Sequence, residues 1–202
     1  RRADGRAPGS PSWNAGGDGP AWSRKRQAYE PPADLGARPG VIPYAELHCR
    51  SHFSFLQGAS HPEQLVEQAT RLSLTALALT DRNGLYGIVR FAEAARALSM
   101  PTVFGAQLEC DEGDIVVLSR NPRGYGHLAS AISDGQLAGS KDEPVFRIDR
   151  LAEFSGDGWW VLTGAMSGAV PRAMHRDRGV PGHPLSVRGH PVGVELLGNF
   201  GV

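Results

Sequence analysis

Polar and titratable side chains follow three apolar segments of the chain, at the points where those segments end. Residues 48–52 (His-Cys-Arg-Ser-His) follow the first segment, residues 80–83 (Thr-Asp-Arg-Asn) follow the second, and Gln107 and Glu109 follow the third. In an extended strand a side chain and the one two positions later leave the same face, so a histidine followed by a second donor at this spacing could begin a metal site. The first chemistry to consider is therefore metal binding at strand ends.

The elements that must position these side chains alternate between strands and helices. A continuous apolar run from Ala76 to Thr80 predicts a strand buried on both faces, and a capping box at Ser60–Glu63 predicts the start of a helix that runs to about Leu72. The predicted strands start near residues 45, 77, 103, 108, 116 and 160, and the further predicted helices cover Ile88–Leu98, Tyr125–Ile132 and Asp149–Phe154. This alternation predicts an α/β fold with a mainly parallel sheet or barrel, whose strand ends converge on one rim.

Composition divides the chain into three regions. Residues 1–43 contain seven glycines, seven prolines and seven basic residues with few aliphatic side chains, so we expect a disordered basic arm. Residues 44–164 hold the periodic apolar pattern and are the predicted folded domain. Residues 165–202 return to glycine, proline and scattered histidine, and we assign them as a tail of uncertain structure.

The overall charge excludes some functions and leaves one basic cluster to explain. The chain has 21 basic and 21 acidic residues, which argues against a wholesale nucleic-acid or membrane-surface binder. Its two cysteines and the lack of an apolar leader favour a cytoplasmic location, with both thiols neutral. Arg24, Lys25 and Arg26 lie among aromatic residues of the arm and are candidate contacts for single-stranded nucleic acid; a solvated tail or a partner contact are the alternatives.

Residues 44–60 (YAELHCRSHFSFLQGAS) resemble the opening motif of the PHP domain, a family named for polymerase and histidinol phosphatase. Residues 77–83, 103–107 and 115–125 follow in the order and spacing of the later motifs of that family. The run from Phe53 to Ser60 and the segment Trp22–Pro32 are similar to the error-prone branch of bacterial C-family DNA polymerases. The resemblance implies a distorted seven-stranded (β/α)7 barrel of PHP type, here incomplete, with a disordered arm before it and an unmatched tail after it.

The resemblance also implies a metal site whose ligand positions are altered in this chain. The family motifs are His-x-His, a later Asp-Gly, a His after Thr-Asp, then a Glu and another His. The corresponding positions here are His48, Arg50, Gln57, Asp81, Arg82, Gln107 and Asp114. Arginine has no lone pair to donate to a metal, so we expect a vestigial site without catalytic residues or bound metal. We expect Arg50 and Arg82 to pair there with acids such as Asp81, Glu46 or Asp114.

The function implied by the resemblance is that of part of an error-prone DNA polymerase. The complete family member would perform DNA-directed nucleotidyl transfer with Mg²⁺ and tolerate damaged templates. Its downstream polymerase domains, DNA held by those domains, and translesion-synthesis accessory proteins are the expected partners, and no membrane is expected. For this chain we expect a non-catalytic scaffold that contacts other domains. The alternatives are a metal-dependent PHP phosphoesterase or proofreading 3′–5′ nuclease, and a non-enzymatic partner-binding module.

Overall fold

The computed structural model describes residues 29–33, 35, 43–140, 143–164 and 167–177 of the chain. The candidate nucleic-acid contacts Arg24, Lys25 and Arg26 lie outside the described residues, so that assignment stays a prediction. The described residues form five strands and five helices. None of these five helices is long and apolar enough to cross a membrane. They divide into two compact units, Arg1–Ala106 and Gln107–Val202.

The first unit is built from strands and helices that alternate along the chain. Its elements are β1 (Ala45–Cys49), α1 (Pro62–Arg71), β2 (Ala76–Arg82), α2 (Ile88–Leu98) and β3 (Thr102–Leu108), whose last two residues belong to the second unit. Strands β1 and β2 are parallel, with a register shift between Glu46 and Cys49. Because the chain crosses from one parallel strand to the next through α1, the side chains at the carboxyl ends of both strands lie at the same edge.

The core of the first unit forms where α1 and α2 pack on β2. The six residues of β2 before Arg82 are buried, as its continuous apolar sequence predicts. Val66 of α1 and Phe91 of α2 are fully buried, and the Phe91 ring meets the Phe104 ring edge-on at 6.2 Å between centroids. These contacts fix the positions of the two loops that follow β1 and β2.

The start of α1 differs by one residue from the prediction. The N-cap is His61 rather than Ser60, and its backbone N–H donates to Gln64 Oε1 at 2.9 Å. Glu63, the last residue of the predicted capping box, is 2% exposed and paired with Arg90 of α2. The helix therefore begins one residue later than the capping box at Ser60–Glu63 predicts, with Gln64 in the capping position and Glu63 paired with Arg90.

Tyr29, in the predicted disordered arm, contacts both helices of the first unit. Its hydroxyl donates to Glu67 Oε1 at 2.9 Å, and its backbone N–H lies 3.4 Å from Glu93 Oε1. Partial burial and the bond to Glu67 raise the pKa of Tyr29 above its ordinary value. At this position the arm therefore lies against the folded part of the chain.

The second unit contains β4 (Ile115–Ser119), α3 (Pro122–Ala138), α4 (Ile148–Ser155), β5 (Trp159–Leu162) and α5 (Ala169–Asp177). Strand β5 runs antiparallel to β4, so this pair departs from the mainly parallel arrangement that the sequence predicts. Trp159 is buried and its Nε1–H donates to the Gly124 carbonyl at 2.8 Å, whereas the Trp160 ring is exposed beneath the Arg120 guanidinium. One tryptophan thus faces inward and its neighbour outward, as strand alternation predicts.

Two further differences concern the number of elements. The strands predicted near residues 103 and 108 are a single strand, β3, which continues through Gly105 from Thr102 to Leu108. Helix α5 lies in the segment that we assigned as a tail without predicted elements. The α/β class is confirmed, since the described residues contain five strands and five helices that largely alternate along the chain.

Candidate functional site

Asp81 lies at the centre of the best-defined polar cluster in the first unit. Its carboxylate is 2% exposed and accepts three hydrogen bonds from the loop between β1 and α1. The Ser51 backbone N–H and the Ser54 hydroxyl donate to Oδ1 at 2.7 and 2.8 Å, and the Ser51 hydroxyl donates to Oδ2 at 2.8 Å. Such bonds to a buried carboxylate stabilise its charge without a metal ion.

The sequence of this loop explains why both serines reach Asp81. A turn closed by the Ser54 N–H and the Ser51 carbonyl at 3.0 Å places the two hydroxyls on the same side. Gly58 closes the loop, because a Cβ there would lie 2.0 Å from the Ser51 carbonyl oxygen. The Ser54 hydroxyl also accepts from the Arg82 backbone N–H at 2.9 Å, which joins the loop to the end of β2.

His48 and Arg50, the first pair of the vestigial positions, contact each other directly. The Arg50 Nη2 atom lies 3.3 Å from His48 Nε2, so a guanidinium occupies the region in front of this imidazole nitrogen. The His48 backbone N–H donates to Glu46 Oε1 at 2.8 Å, and the Tyr44 hydroxyl donates to Glu46 Oε2 at 3.0 Å. A cationic side chain adjacent to His48 opposes the approach of a divalent cation.

The remaining vestigial positions of the first unit are exposed. Gln57 lies in the loop between β1 and α1, where its backbone N–H donates to the Ser54 carbonyl at 2.9 Å. The residue Arg82 is exposed at the end of β2. The pairing of the two guanidinium groups with carboxylates remains a prediction.

Gln107 and Asp114, the two vestigial positions of the second unit, bond to each other. Gln107 Nε2 donates to Asp114 Oδ2 at 3.1 Å, and the Ser167 hydroxyl donates to the same oxygen at 2.7 Å. The Asp114 backbone also pairs with residues 167 and 169, through bonds of 3.1 and 3.0 Å. Asp114 therefore joins the end of β3 to the start of α5, and the convergence of all seven vestigial positions on one rim remains a prediction.

These donor sets do not fit the metal cluster that the motifs imply. Both oxygens of Asp81 accept hydrogen bonds from serine groups, and a guanidinium lies against His48. In the described part of the chain, no group of three or more His, Cys, Asp or Glu side chains could hold a metal ion. A cluster of divalent metals needs several such ligands together.

Of the two cysteines, Cys110 is buried and Cys49 is half-buried. Burial raises the pKa of Cys49 to about 11, with further contributions from Glu46 and Asp81. Burial likewise raises the pKa of Cys110 to about 12, assisted by the acidic residues that follow it. Both thiols are therefore protonated at neutral pH and are poor nucleophiles.

Sequence reasoning missed two features of this region. Ser51 and Ser54 were part of the family motif but had no assigned role, although their spacing of three residues is typical of a turn. The buried pair of Glu63 and Arg90, with Arg90 Nε 2.8 Å from Glu63 Oε1, joins α1 to α2 across 27 positions. No local signal in the sequence could have identified that partner.

The family assignment follows from comparison with family models. The model for the PHP domain matches residues 46–186, which is more than half of the chain. This chain belongs to the PHP domain family. The match covers the loop that binds Asp81 and continues past residue 164, into the segment that the motifs had left unmatched.

Two relatives of high sequence identity are much longer than this chain. Over 169 residues it is 47% identical to the error-prone DNA polymerase of Mycolicibacterium paratuberculosis, a region covering 78% of this chain and 15% of that protein. Over 178 residues it is also 47% identical to the error-prone DNA polymerase of Mycobacterium tuberculosis, covering 82% of this chain and 16% of the relative. The PHP-family chain thus spans about one sixth of the length of these relatives.

Among solved structures, an amidohydrolase from Chromobacterium violaceum, determined with bound sulfate and no metal, matches with a TM-score of 0.40. Its sequence is 26% identical, and the match covers 46% of this chain and 34% of that protein.

Proposed function

We propose that this chain is a non-catalytic PHP domain that serves as a structural part of an error-prone DNA polymerase. The observation that carries the proposal is the saturation of Asp81 by Ser51 and Ser54. In this arrangement the aspartate anchors the loop between β1 and α1 instead of holding a metal ion. A position associated with chemistry in the family motif has here a structural role.

Electrostatics supports the same conclusion. Arginine replaces two of the histidine positions of the motif, at Arg50 and Arg82, and an arginine remains charged at any physiological pH. Gln107 adds no negative charge where the motif has a glutamate, and it donates a hydrogen bond to Asp114 instead. Each change removes a ligand, and the arginines add positive charge, so the changes act together against binding of several divalent metals.

The activity of the complete protein is also a proposal. The relatives of this chain are named error-prone DNA polymerases, and this chain spans about one sixth of their length. We place the chain within a cytoplasmic polymerase that performs DNA-directed nucleotidyl transfer during damage-tolerant synthesis. Mg²⁺, DNA and any translesion-synthesis accessory proteins would be bound by the polymerase domains outside this chain.

Hydrolysis assays on this chain test the loss of catalysis. A phosphomonoester and single-stranded DNA with a labelled 3′ end are each incubated with the chain and added Mn²⁺, Mg²⁺ or Zn²⁺. We expect no turnover above that of buffer with the same metal. Turnover that disappears in the His48→Ala variant would overturn the proposal and favour the phosphoesterase or nuclease alternative.

A variant with the motif residues restored provides the positive control. It combines the five substitutions Arg50→His, Gln57→Asp, Arg82→His, Gln107→Glu and Asp114→His. We expect this variant to bind more Mn²⁺ than the unmodified chain, because four substitutions supply a ligand and Asp114→His restores the ligand type of the motif. Equal Mn²⁺ binding by the two folded proteins would show that the substituted positions do not limit metal binding.

A further inference from the structure

Trp160 and Arg120 form an exposed stacked pair in the second unit. The guanidinium carbon of Arg120 lies 4.5 Å from the centre of the Trp160 ring, and this tryptophan is 42% exposed. Trp160 of β5 pairs with Leu118 of β4, and Arg120 directly follows β4, so both side chains belong to the same corner of the sheet. An indole ring next to a guanidinium presents flat groups on which another planar group can stack.

Contacts between the turn before β5 and the start of α3 hold this pair in place. The Arg120 backbone N–H donates to the Gly158 carbonyl at 2.9 Å, and Arg120 Nη1 donates to the Asp157 carbonyl at 3.0 Å. Gly124 of α3 lies so close to this turn that a Cβ there would be 2.0 Å from the Gly158 carbonyl oxygen. The backbone that carries the pair is therefore fixed before a ligand binds, which lowers the entropy lost on binding.

The guanidinium of Arg120 is suited to binding an anion next to the Trp160 ring. Its bond to the Asp157 carbonyl uses one of the five N–H groups that an arginine side chain carries. Arg120 is an exposed residue, so solvent and ligands reach it. The planar fork of an arginine matches the oxygen geometry of a phosphate, so a phosphate at Arg120 would lie beside an aromatic ring.

The segments that form this corner carry more positive than negative charge. Residues 120–133 contain Arg120 and Arg123 and no Asp or Glu, while residues 155–164 contain a single acidic residue, Asp157. Arg123 is exposed in the first turn of α3. The corner therefore attracts anionic ligands locally, although the whole chain has a net charge of zero.

A stacking group beside two arginines is typical of a site for single-stranded nucleic acid. Unpaired bases stack on aromatic rings or on arginine planes, and neighbouring phosphates pair with basic side chains. A duplex holds its bases inside the helix, where they cannot stack on a protein side chain. The combination of ring and positive charge therefore favours a single strand over a duplex.

We infer that Arg120, Arg123 and Trp160, which we call the stacking corner, bind single-stranded nucleic acid. A base stacks against the Trp160–Arg120 pair, and the adjacent phosphates contact the two arginines. The inference goes beyond the proposed function, which assigns DNA to residues outside this chain, and it does not depend on whether the domain holds metal ions. The stacking corner is thus an additional contact for a strand, made by the PHP domain itself.

Fluorescence anisotropy of labelled oligonucleotides tests the inference. The full chain is titrated at low salt into an oligothymidylate of about 12 nucleotides, an oligouridylate of the same length and a DNA duplex of that length. We expect at least one single strand to bind more tightly than the duplex, with an affinity that falls as salt is added. The comparison of the two strands shows whether DNA or RNA is preferred. Absence of binding to both strands, or equal or tighter binding of the duplex, would overturn the inference.

Substitutions in the stacking corner separate stacking from charge. Trp160→Ala removes the ring and should weaken binding of the preferred strand about tenfold, which is the usual effect of losing one stacked base. Trp160→Phe keeps a ring and should retain most of the affinity. Arg120→Gln should also weaken binding, and it tests the inference independently if Trp160→Ala fails to fold. Unchanged affinity in folded Arg120→Gln would overturn the inference.

The matched control is Arg96→Gln in α2, because Arg96 is also an exposed arginine. This variant should bind the strand as tightly as the unmodified chain. A loss of affinity equal to that of Arg120→Gln would show that binding depends on total charge alone and would overturn the inference. Thermal melting of each variant shows that the compared proteins are folded.

The basic cluster of the arm is the competing site for the same ligand. Arg24, Lys25 and Arg26 are the nucleic-acid contacts that the sequence predicts, and a variant with all three changed to Gln tests them. In this variant we expect the remaining affinity still to depend on Trp160. Binding that is lost in the triple variant and unchanged in Trp160→Ala would assign the strand to the arm and overturn the inference.

Two further occupants of the stacking corner are distinguished by simple controls. Competition by thymidine monophosphate as effective as that by the oligothymidylate would indicate a site for a free nucleotide rather than a strand. Sedimentation that shows self-association reversed by Trp160→Ala would indicate a second copy of the chain. Either result would overturn the inference in favour of that occupant.

Discussion

At the scale of single residues, Asp81 is held by hydrogen bonds from the loop between β1 and α1, at a position where the family motif implies a metal site. Three donors from Ser51 and Ser54 surround its buried carboxylate. Hydrogen bonds to a charged group contribute more than neutral ones, and removal of the acceptor leaves the buried donors unsatisfied.

We therefore expect Asp81→Ala to lower the free energy of unfolding by about 3 kcal/mol, as measured by urea denaturation. Ser54→Ala should cost less, because Ser51 still donates twice to the carboxylate. In a double-mutant cycle the two substitutions should be less than additive, since they remove one shared bond. If the losses in the free energy of unfolding from Asp81→Ala and Ser54→Ala add fully, the hydrogen bond between Ser54 and Asp81 contributes nothing measurable.

His61 predicts a pH dependence of stability. Burial lowers the pKa of His61, with smaller contributions from His52 and Arg90, while Glu63 acts in the opposite direction. The imidazole of His61 meets that of His52 edge-on at 4.3 Å between centroids. Since the pKa is lower in the folded state, the unfolded chain binds the proton more readily, and stability falls as the pH drops below about 6.5.

The measurement compares urea denaturation of the unmodified chain and His61→Asn at pH 7.5, 6.5 and 5.5. Asparagine retains an N-cap side chain but cannot titrate in this range. The unmodified chain should lose more stability on acidification than the variant does. An equal loss of stability on acidification in both proteins would show that His61 does not contribute to the pH dependence.

The sequence predicted the positions of some residues of the candidate site but not their hydrogen-bond partners. The sequence placed His48, Arg50 and Asp81 at strand ends because apolar runs define strand limits well. It did not identify Ser51 and Ser54 as the partners of Asp81, since those bonds connect positions 27 and 30 residues apart. Pairings across such distances depend on the tertiary fold.

At the scale of elements, the pair of Glu63 and Arg90 links α1 to α2. Removal of one partner leaves a buried charge, so Arg90→Leu should lower the free energy of unfolding by about 3 to 5 kcal/mol. The double variant Glu63→Met with Arg90→Leu should recover much of that loss, because no charge remains buried. Urea denaturation of the three proteins checks this. A double variant as unstable as Arg90→Leu would contradict the electrostatic explanation.

Element boundaries show where local sequence is informative. Helix α2 (Ile88–Leu98) spans the predicted apolar positions and ends before Pro101, as its strong apolar periodicity and the following proline predict. The start of α1 was misplaced by one residue because Ser60, His61 and Gln64 offer two overlapping capping patterns. Helix α5 was missed because Gly and Pro residues around it obscure its periodicity.

At the scale of the whole molecule, the antiparallel pair of β4 and β5 predicts dependence on later residues. Asp114, just before β4, pairs through its backbone with residues 167 and 169, which a chain ending at residue 164 would lack. Trp160 and Val161 of β5 are also partly exposed. We expect residues 44–164 expressed alone to aggregate or to melt over a broad temperature range.

The control is a protein of residues 44–177, which retains α5 and should melt more cooperatively. Calorimetry and light scattering of both proteins check the prediction. If residues 44–164 are instead monomeric at high concentration, with one sharp transition and protected amides in β5, this segment closes its own core.

Family membership was predicted from the motifs, and the expected loss of metal binding from individual residues that depart from those motifs. The central claim is that this PHP domain does not hold a metal cluster. Elemental analysis of the purified chain, after exposure to Mn²⁺, Zn²⁺ and Mg²⁺ and exhaustive dialysis, tests it most directly. We predict far less than one metal ion per chain. One or more tightly bound metal ions per chain, lost in the His48→Ala variant, would contradict it.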